Sequence, residues 1–156
     1  MSFEEIRVVT IVYLAVFLPL LIYFLNKSRL PRWVPSFYIV GLVVCALGWE
    51  LWFTYGWVDG DAVDMRRSEA LNYWIPKNVN WLMNSMGDAG AVLLGGVWLM
   101  WISHNKDQSI FRKWNWSAFC ILLFWCISQN ILVEMFLYND QLADGKSLSW
   151  APMSPL

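Results

Sequence analysis

Four apolar blocks, each close to twenty residues, decide most of what this chain can fold into. They cover about 6–25, 35–57, 81–103 and 116–138. A helix of about 20 residues crosses the hydrocarbon core of a bilayer, and inside lipid each backbone N–H and C=O must find an internal partner. A soluble domain with four such blocks would expose a continuous apolar surface. Charged residues make up only 15% of the chain, against about 25% in soluble domains. The expected fold is therefore an all-α integral membrane protein. It forms a four-transmembrane-helix bundle in one domain over 1–139, followed by a polar tail over 140–156.

Charge sets the expected orientation. The first and third connectors carry Lys27, Arg29, Arg32, Lys106, Arg112 and Lys113 with the single acid Asp107. The other side carries five basic and eight acidic residues. Basic connectors stay in the cytoplasm, which places both termini and the long loop on the non-cytoplasmic side, although Arg66, Arg67 and Lys77 run against a strict rule. Trp33, Trp57, Trp81, Trp114 and Trp116 stand at block ends, as an interfacial aromatic belt requires. Glu4 and Glu5 precede the first block and bulky residues close it, so it reads as a retained span rather than a cleaved signal. Pro19 is expected to kink it. The expected location is multi-pass, in the inner membrane of a bacterium or the endoplasmic reticulum of a eukaryote. In the loop, a short external helix is expected over 61–73, capped by Asp61 and stopped before Pro76.

Several chemistries find no support. Cys45, Cys120 and Cys126 lie inside apolar blocks without a CxxC pair, and His104 stands alone, so no metal site or cofactor is expected. There is no phosphate-binding glycine loop and no GxSxG, and nucleic acid is not an expected partner.

Three of the blocks contain one acid each: Glu50, Asp88 and Glu134. A carboxylate in a span costs about 2.5–3.5 kcal/mol on insertion scales, so it implies a partner, a proton or a task. Counting about 1.5 Å of rise per residue from each block's middle puts all three in the outer half of the membrane. Their neighbours repeat the pattern. Asn80, Asn84 and Asp88 share one helix face, and so do Asn130, Glu134 and Tyr138, with Gln129 beside them. Polar stripes in lipid turn inward, and Gly87, Gly90, Gly95 and Gly96 allow close packing or leave room for a ligand. No lysine or arginine lies at that depth within a block. Two adjacent carboxyls would share a proton, giving an acid beside a base. Arg66 or Arg67 folding in from the loop is the competing arrangement, a structural ion pair. Helix-to-helix glue is the competing role for Asn84 and Asn130.

A carboxylic acid in a dry, aromatic-walled pocket suits protonation of an alkene or epoxide. The carbocation formed is stabilised by aromatic faces, for which Trp49, Trp52, Phe53, Tyr55, Trp98, Trp125 and Phe136 are available. The expected catalytic residues are Glu50, Asp88 and Glu134. The expected substrate-binding residues are Trp49, Phe53, Asn84, Gln129, Asn130 and Tyr138.

The segment Ala46-Leu47-Gly48-Trp49-Glu50-Leu51-Trp52-Phe53, with an aspartate on the next span, resembles the integral-membrane terpene cyclases of meroterpenoid pathways. That resemblance implies Glu50 and Asp88 as the pair that protonates a terminal epoxide, although those cyclases have more spans. Glu50-x-x-Phe53-x-Tyr55 and Ser128-Gln129-Asn130 through Glu134 resemble the emopamil-binding sterol isomerases. Their accompanying histidine is missing, since Val43, Val44 and Cys45 occupy its region. Both resemblances imply an isomerase or cyclase acting on an isoprenoid or sterol-like lipid, with membrane lipids and a hydrophobic small molecule as partners. The alternatives are a non-catalytic subunit of a larger membrane complex and a dimeric proton-coupled transporter, whose partners would be other membrane proteins or a second copy.

Overall fold

The computed structural model describes residues 1–58, 61–137 and 139–143. Helix α1 (Phe3–Asn26) starts at a reciprocal cap. The Glu5 N–H donates to Ser2 Oγ (3.2 Å) and the Ser2 N–H to the Glu5 carboxylate (2.7 Å). It runs unbroken through Pro19. Leu14, Phe17, Leu18, Leu21, Phe24 and Leu25 are all exposed. In water such a face would demand a cover, whereas in lipid it is the expected outer surface.

The second block is not one helix. α2 (Val34–Leu47) ends at Gly48 and α3 (Trp49–Tyr55) restarts directly after it. The Gly48 backbone (φ −91°, ψ −120°) would bring an added Cβ to 2.5 Å from the Val44 carbonyl oxygen. The Ala46 carbonyl accepts the Trp81 indole N–H at 2.8 Å instead of an intrahelical partner. Trp81 therefore pins the break from the neighbouring helix, whereas a pure belt role was expected for it.

The third block is the centre of the fold. α5 (Lys77–Gly87) passes into wider π-type turns over Asp88–Leu94, where the Gly95 N–H reaches back five residues to Gly90 O, and continues as α6 (Gly95–Ser103). Of its apolar window, 44% is buried, against 11% for α1 and 22% for the second block. The widened segment packs on α1 and α2, α5 packs on α1, α2 and α3, and α6 packs on α7 (Trp116–Leu132). Small residues allow it. An added Cβ at Gly90 would lie 3.0 Å from Ala15 O, and one at Gly96 would collide with Leu122.

Lys77–Ser103, Phe3–Asn26 and Val34–Tyr55 are long and apolar enough to cross a membrane. α7 is apolar but shorter, 17 residues, and continues in π-type turns over Val133–Leu137. Among the described residues three helices are of spanning length, and the fourth block is divided between two winding patterns.

The loop also departs from expectation. In place of one helix over 61–73, Trp57–Val58 and Asp61–Ala62 pair as a short antiparallel ribbon, β1 and β2. A 3-10 turn follows over Val63–Arg66, and α4 (Glu69–Trp74) comes after it. Ser68 caps α4, accepting from the Leu71 N–H at 3.2 Å, because Arg67 is extended and breaks the run that Asp61 would have capped. Leu71 and Ile75 are fully buried, so the loop is part of the packed body. It is tied to the chain beyond α7 by an Arg67–Leu142 bridge and by Ala143 N–H donating to Arg66 O (2.8 Å). Arg7 on α1 pairs with Asp140, which brings the start of α1 and the end of the fourth block to the same end of the bundle.

At the opposite end, Gln108 donates to Arg29 O (2.7 Å), joining the two basic connectors. Above them sits an apolar core of Leu30, Val34, Leu94, Val97 and Trp101. The molecule therefore has one apolar end, at the basic connectors, and one polar end.

Candidate functional site

The polar end holds a cavity of about 310 Å³ bounded by α1, α3, α5, the widened segment, α7 and the loop. Glu50 enters it from the first turn of α3, where the break at Gly48 has re-aimed the helix. Asp88 enters from the residue at which the third block widens. π-type turns are frequent at functional sites because the extra residue shifts the side chains that follow it. The two carboxyls, 38 positions apart in sequence, thus line the same chamber.

Their surroundings differ. The Trp49 indole N–H donates to Asp88 Oδ2 at 2.7 Å. Glu50 is 6% exposed, and its Oε2 has no hydrogen-bond partner among the described residues, while the Asn84 amide lies beside its carboxyl. Thr54, one turn along α3 on the Glu50 face, is also buried with an unpartnered hydroxyl. Unpartnered polar groups in a dry site are costly, and functional sites are where proteins retain them.

Of the residues expected in the site, Trp49, Phe53, Asn84, Gln129 and Asn130 all line the chamber with Glu50 and Asp88. Trp49 holds Asp88 through its N–H, where only an aromatic wall was expected. Asn130 and Gln129 donate to the Cys126 carbonyl of their own helix, at 2.8 and 3.5 Å. Their amide oxygens are what they can offer to a ligand. Tyr138 and the side chains of Glu134 and Phe136 lie outside the described residues. Asn80, 6% exposed, is a further member of the lining. Its place on the Asn80–Asn84–Asp88 face was the signal that could have found it.

Among the described residues, the ion pair of Arg67 with Glu50 or Asp88 that was weighed as an alternative does not form. Arg67 lines the chamber, yet its Nη1 donates to Asn72 Oδ1 and Ile75 O, both at 3.1 Å, and it pairs with neither Glu50 nor Asp88. Burial pushes its guanidinium down to about 10, partly offset by Asp64, which leaves it cationic at neutral pH. Arg66 lies 3.8 Å from Asp61.

A second, apolar cavity of about 430 Å³ runs between α1 and the third block into the apolar end, where Leu30, Val34, Leu94 and Val97 line it. Ile11, Ala15, Ala91 and Trp125 line both cavities, so a polar chamber and an apolar one share a wall. Trp125 is fixed there by donating to Ala91 O at 2.8 Å. Among the described residues no cluster of side chains suited to a metal ion occurs.

Comparisons with protein-family models, with curated proteins and with solved structures each returned no match. The chemistry must therefore be argued from the chamber itself.

Proposed function

We propose that this chain is an intramembrane acid–base isomerase or cyclase for an isoprenoid or sterol-like lipid, built on four membrane spans with both termini on the non-cytoplasmic side. The observation that carries the reading is the meeting of Glu50 and Asp88, from separate helices and without a paired cation among the described residues, in a chamber that adjoins an apolar cavity. Asp88, which accepts the Trp49 N–H, is suited to the ionised role. Glu50, with an unpartnered oxygen, is suited to carry the proton.

In the forward step the Glu50 carboxyl gives its proton to an alkene carbon, and the alkene's π pair forms the new C–H bond. The tertiary carbocation left behind faces Trp49, Phe53 and Trp125. Loss of a proton from the carbon on its other side, to Asp88 or back to Glu50, gives the isomer with no net change in composition. With an epoxide, the proton goes to oxygen, an internal alkene attacks the opening carbon to close a ring, and the cation this leaves loses a proton to Asp88 to become a new alkene.

The test is turnover in D2O. Membranes carrying the protein are incubated with unsaturated sterols and terminally epoxidised isoprenoids, and products are read by mass spectrometry. The expected product is an isomer of a supplied lipid, with a solvent deuterium on carbon wherever an alkene was protonated. If no lipid of either class is converted, the enzymatic reading fails and the chamber is a binding site of a subunit or carrier.

A further inference from the structure

Four residues line both the polar chamber and the apolar cavity. Ile11 and Ala15 come from α1, Ala91 from the widened segment and Trp125 from α7. Trp125 is much the largest of them, and it is held from two directions. Its indole N–H donates to Ala91 O at 2.8 Å, and its ring lies over Gly95, where an added Cβ would come within 3.2 Å of the indole nitrogen. Gly95 is therefore the seat that lets the ring lie close against the third block, and the widened turn supplies the carbonyl that fixes it. A tryptophan held in this way narrows the space to a neck. On one side of the neck is the chamber with Glu50 and Asp88, and on the other is a cavity with no charged residue in its lining.

The apolar cavity also opens sideways. Leu14 and Leu18 line it and are 52% and 49% exposed, so its mouth lies on the flank of α1, in the middle of a span rather than at either end. α1 and α7 each pack on the third block rather than broadly on each other, which leaves the mouth between them. In a bilayer that mouth faces hydrocarbon, and what enters it is a lipid tail rather than a water-soluble molecule. From Asp88 in the chamber to Leu99 in the cavity the third block advances about 16 Å at helical rise, so the two spaces together are elongated. We infer that Trp125 is the specificity-determining residue of this site: it divides one elongated lipid site into a reacting half and a tail half, and its neck admits a flexible open-chain tail while excluding a rigid fused-ring one. This rests on the reading of the chamber as a lipid site and narrows that lipid by shape. The substrate comes sideways from the bilayer, its tail lies along the third block below Ala91, and passage beside Trp125 sets which carbon reaches Glu50 and Asp88.

The experiment measures binding rather than turnover, so its result is independent of the acid–base chemistry. Full-length protein in a neutral detergent is equilibrated with an equimolar mixture of farnesol and cholesterol, recovered, and the lipid it retains is quantified by mass spectrometry. The wild type is expected to retain farnesol over cholesterol by about 10-fold or more, the discrimination that a shaped apolar pocket gives. Trp125→Ala should raise the cholesterol-to-farnesol ratio by about 10-fold. Trp125→Phe keeps a ring beside Gly95 but loses the N–H bond to Ala91 O, and its ratio should fall between the two. A purely structural role for Trp125 would lower retention of both lipids and leave their ratio alone, which overturns the inference. So does wild-type protein that retains cholesterol as well as farnesol. Retention of neither lipid overturns it too, since the cavity then holds bulk acyl chains only. In each of these cases the isomerase proposal is judged separately, by deuterium incorporation from D2O. If Trp125→Ala fails to fold, Trp125→Phe decides, because the ratio must rise in it.

Discussion

Glu50→Gln is expected to lower turnover by about 10²- to 10⁴-fold, the range that a positioned general acid contributes. The substitution is nearly isosteric, keeps a polar group beside Asn84, and removes only the ability to give up a proton. Since Glu50 forms no ion pair among the described residues, no partner charge there is left stranded, and folding and expression should be preserved. The matched variant Asp88→Asn retains an oxygen that can accept the Trp49 N–H. It should bind lipid normally and lose the step in which a proton leaves. Turnover rates and thermal unfolding of the detergent-solubilised variants check both expectations together. Full activity in Glu50→Gln would place the proton source elsewhere.

Trp101→Ala should carry the largest stability penalty outside the site, about 3–5 kcal/mol as for other large-to-small changes at fully buried positions. Trp101 is the largest fully buried side chain among the described residues and sits among Leu30, Val34, Leu94 and Val97. Within a bilayer, helix association depends on packing of this kind, since lipid is as apolar as the core. Its indole N–H has no partner, so Trp101→Phe should cost much less by removing an unmet donor along with part of the ring. Circular dichroism melts of the three proteins give the ordering. A melt of Trp101→Ala equal to that of the wild type would mean that the packing around Trp101 is not what holds the bundle together.

Much of this fold is legible in the sequence because lipid imposes blunt rules. Apolar length alone locates α1 and the third block to within a few residues, and depth counting brings Glu50 and Asp88 together before any coordinates. The break at Gly48 is not legible in that way. A single glycine is tolerated inside a membrane helix, and only the Trp81 bond to Ala46 O, made from another helix, fixes the interruption. The widening at Asp88 is hidden for the same reason, since it depends on how closely Gly90 approaches Ala15. Arg67 was legible as a residue that could reach the acids. What it does there was not, because its Nη1 is held by hydrogen bonds to Asn72 and Ile75 O. The loop helix over 61–73 was misjudged through its cap. Asp61 and Ser68 are both competent, and the ribbon of Trp57–Val58 with Asp61–Ala62 removes the first from competition.

The most direct test of the account is what the protein carries out of the membrane. Wild-type protein, purified in mild detergent and extracted with organic solvent, should release a defined isoprenoid or sterol-like lipid in near-stoichiometric amount, enriched far above its share of the host membrane. Recovery of bulk phospholipids alone, in the proportions of the surrounding bilayer, would contradict the claim that Glu50 and Asp88 line a chamber built for a lipid.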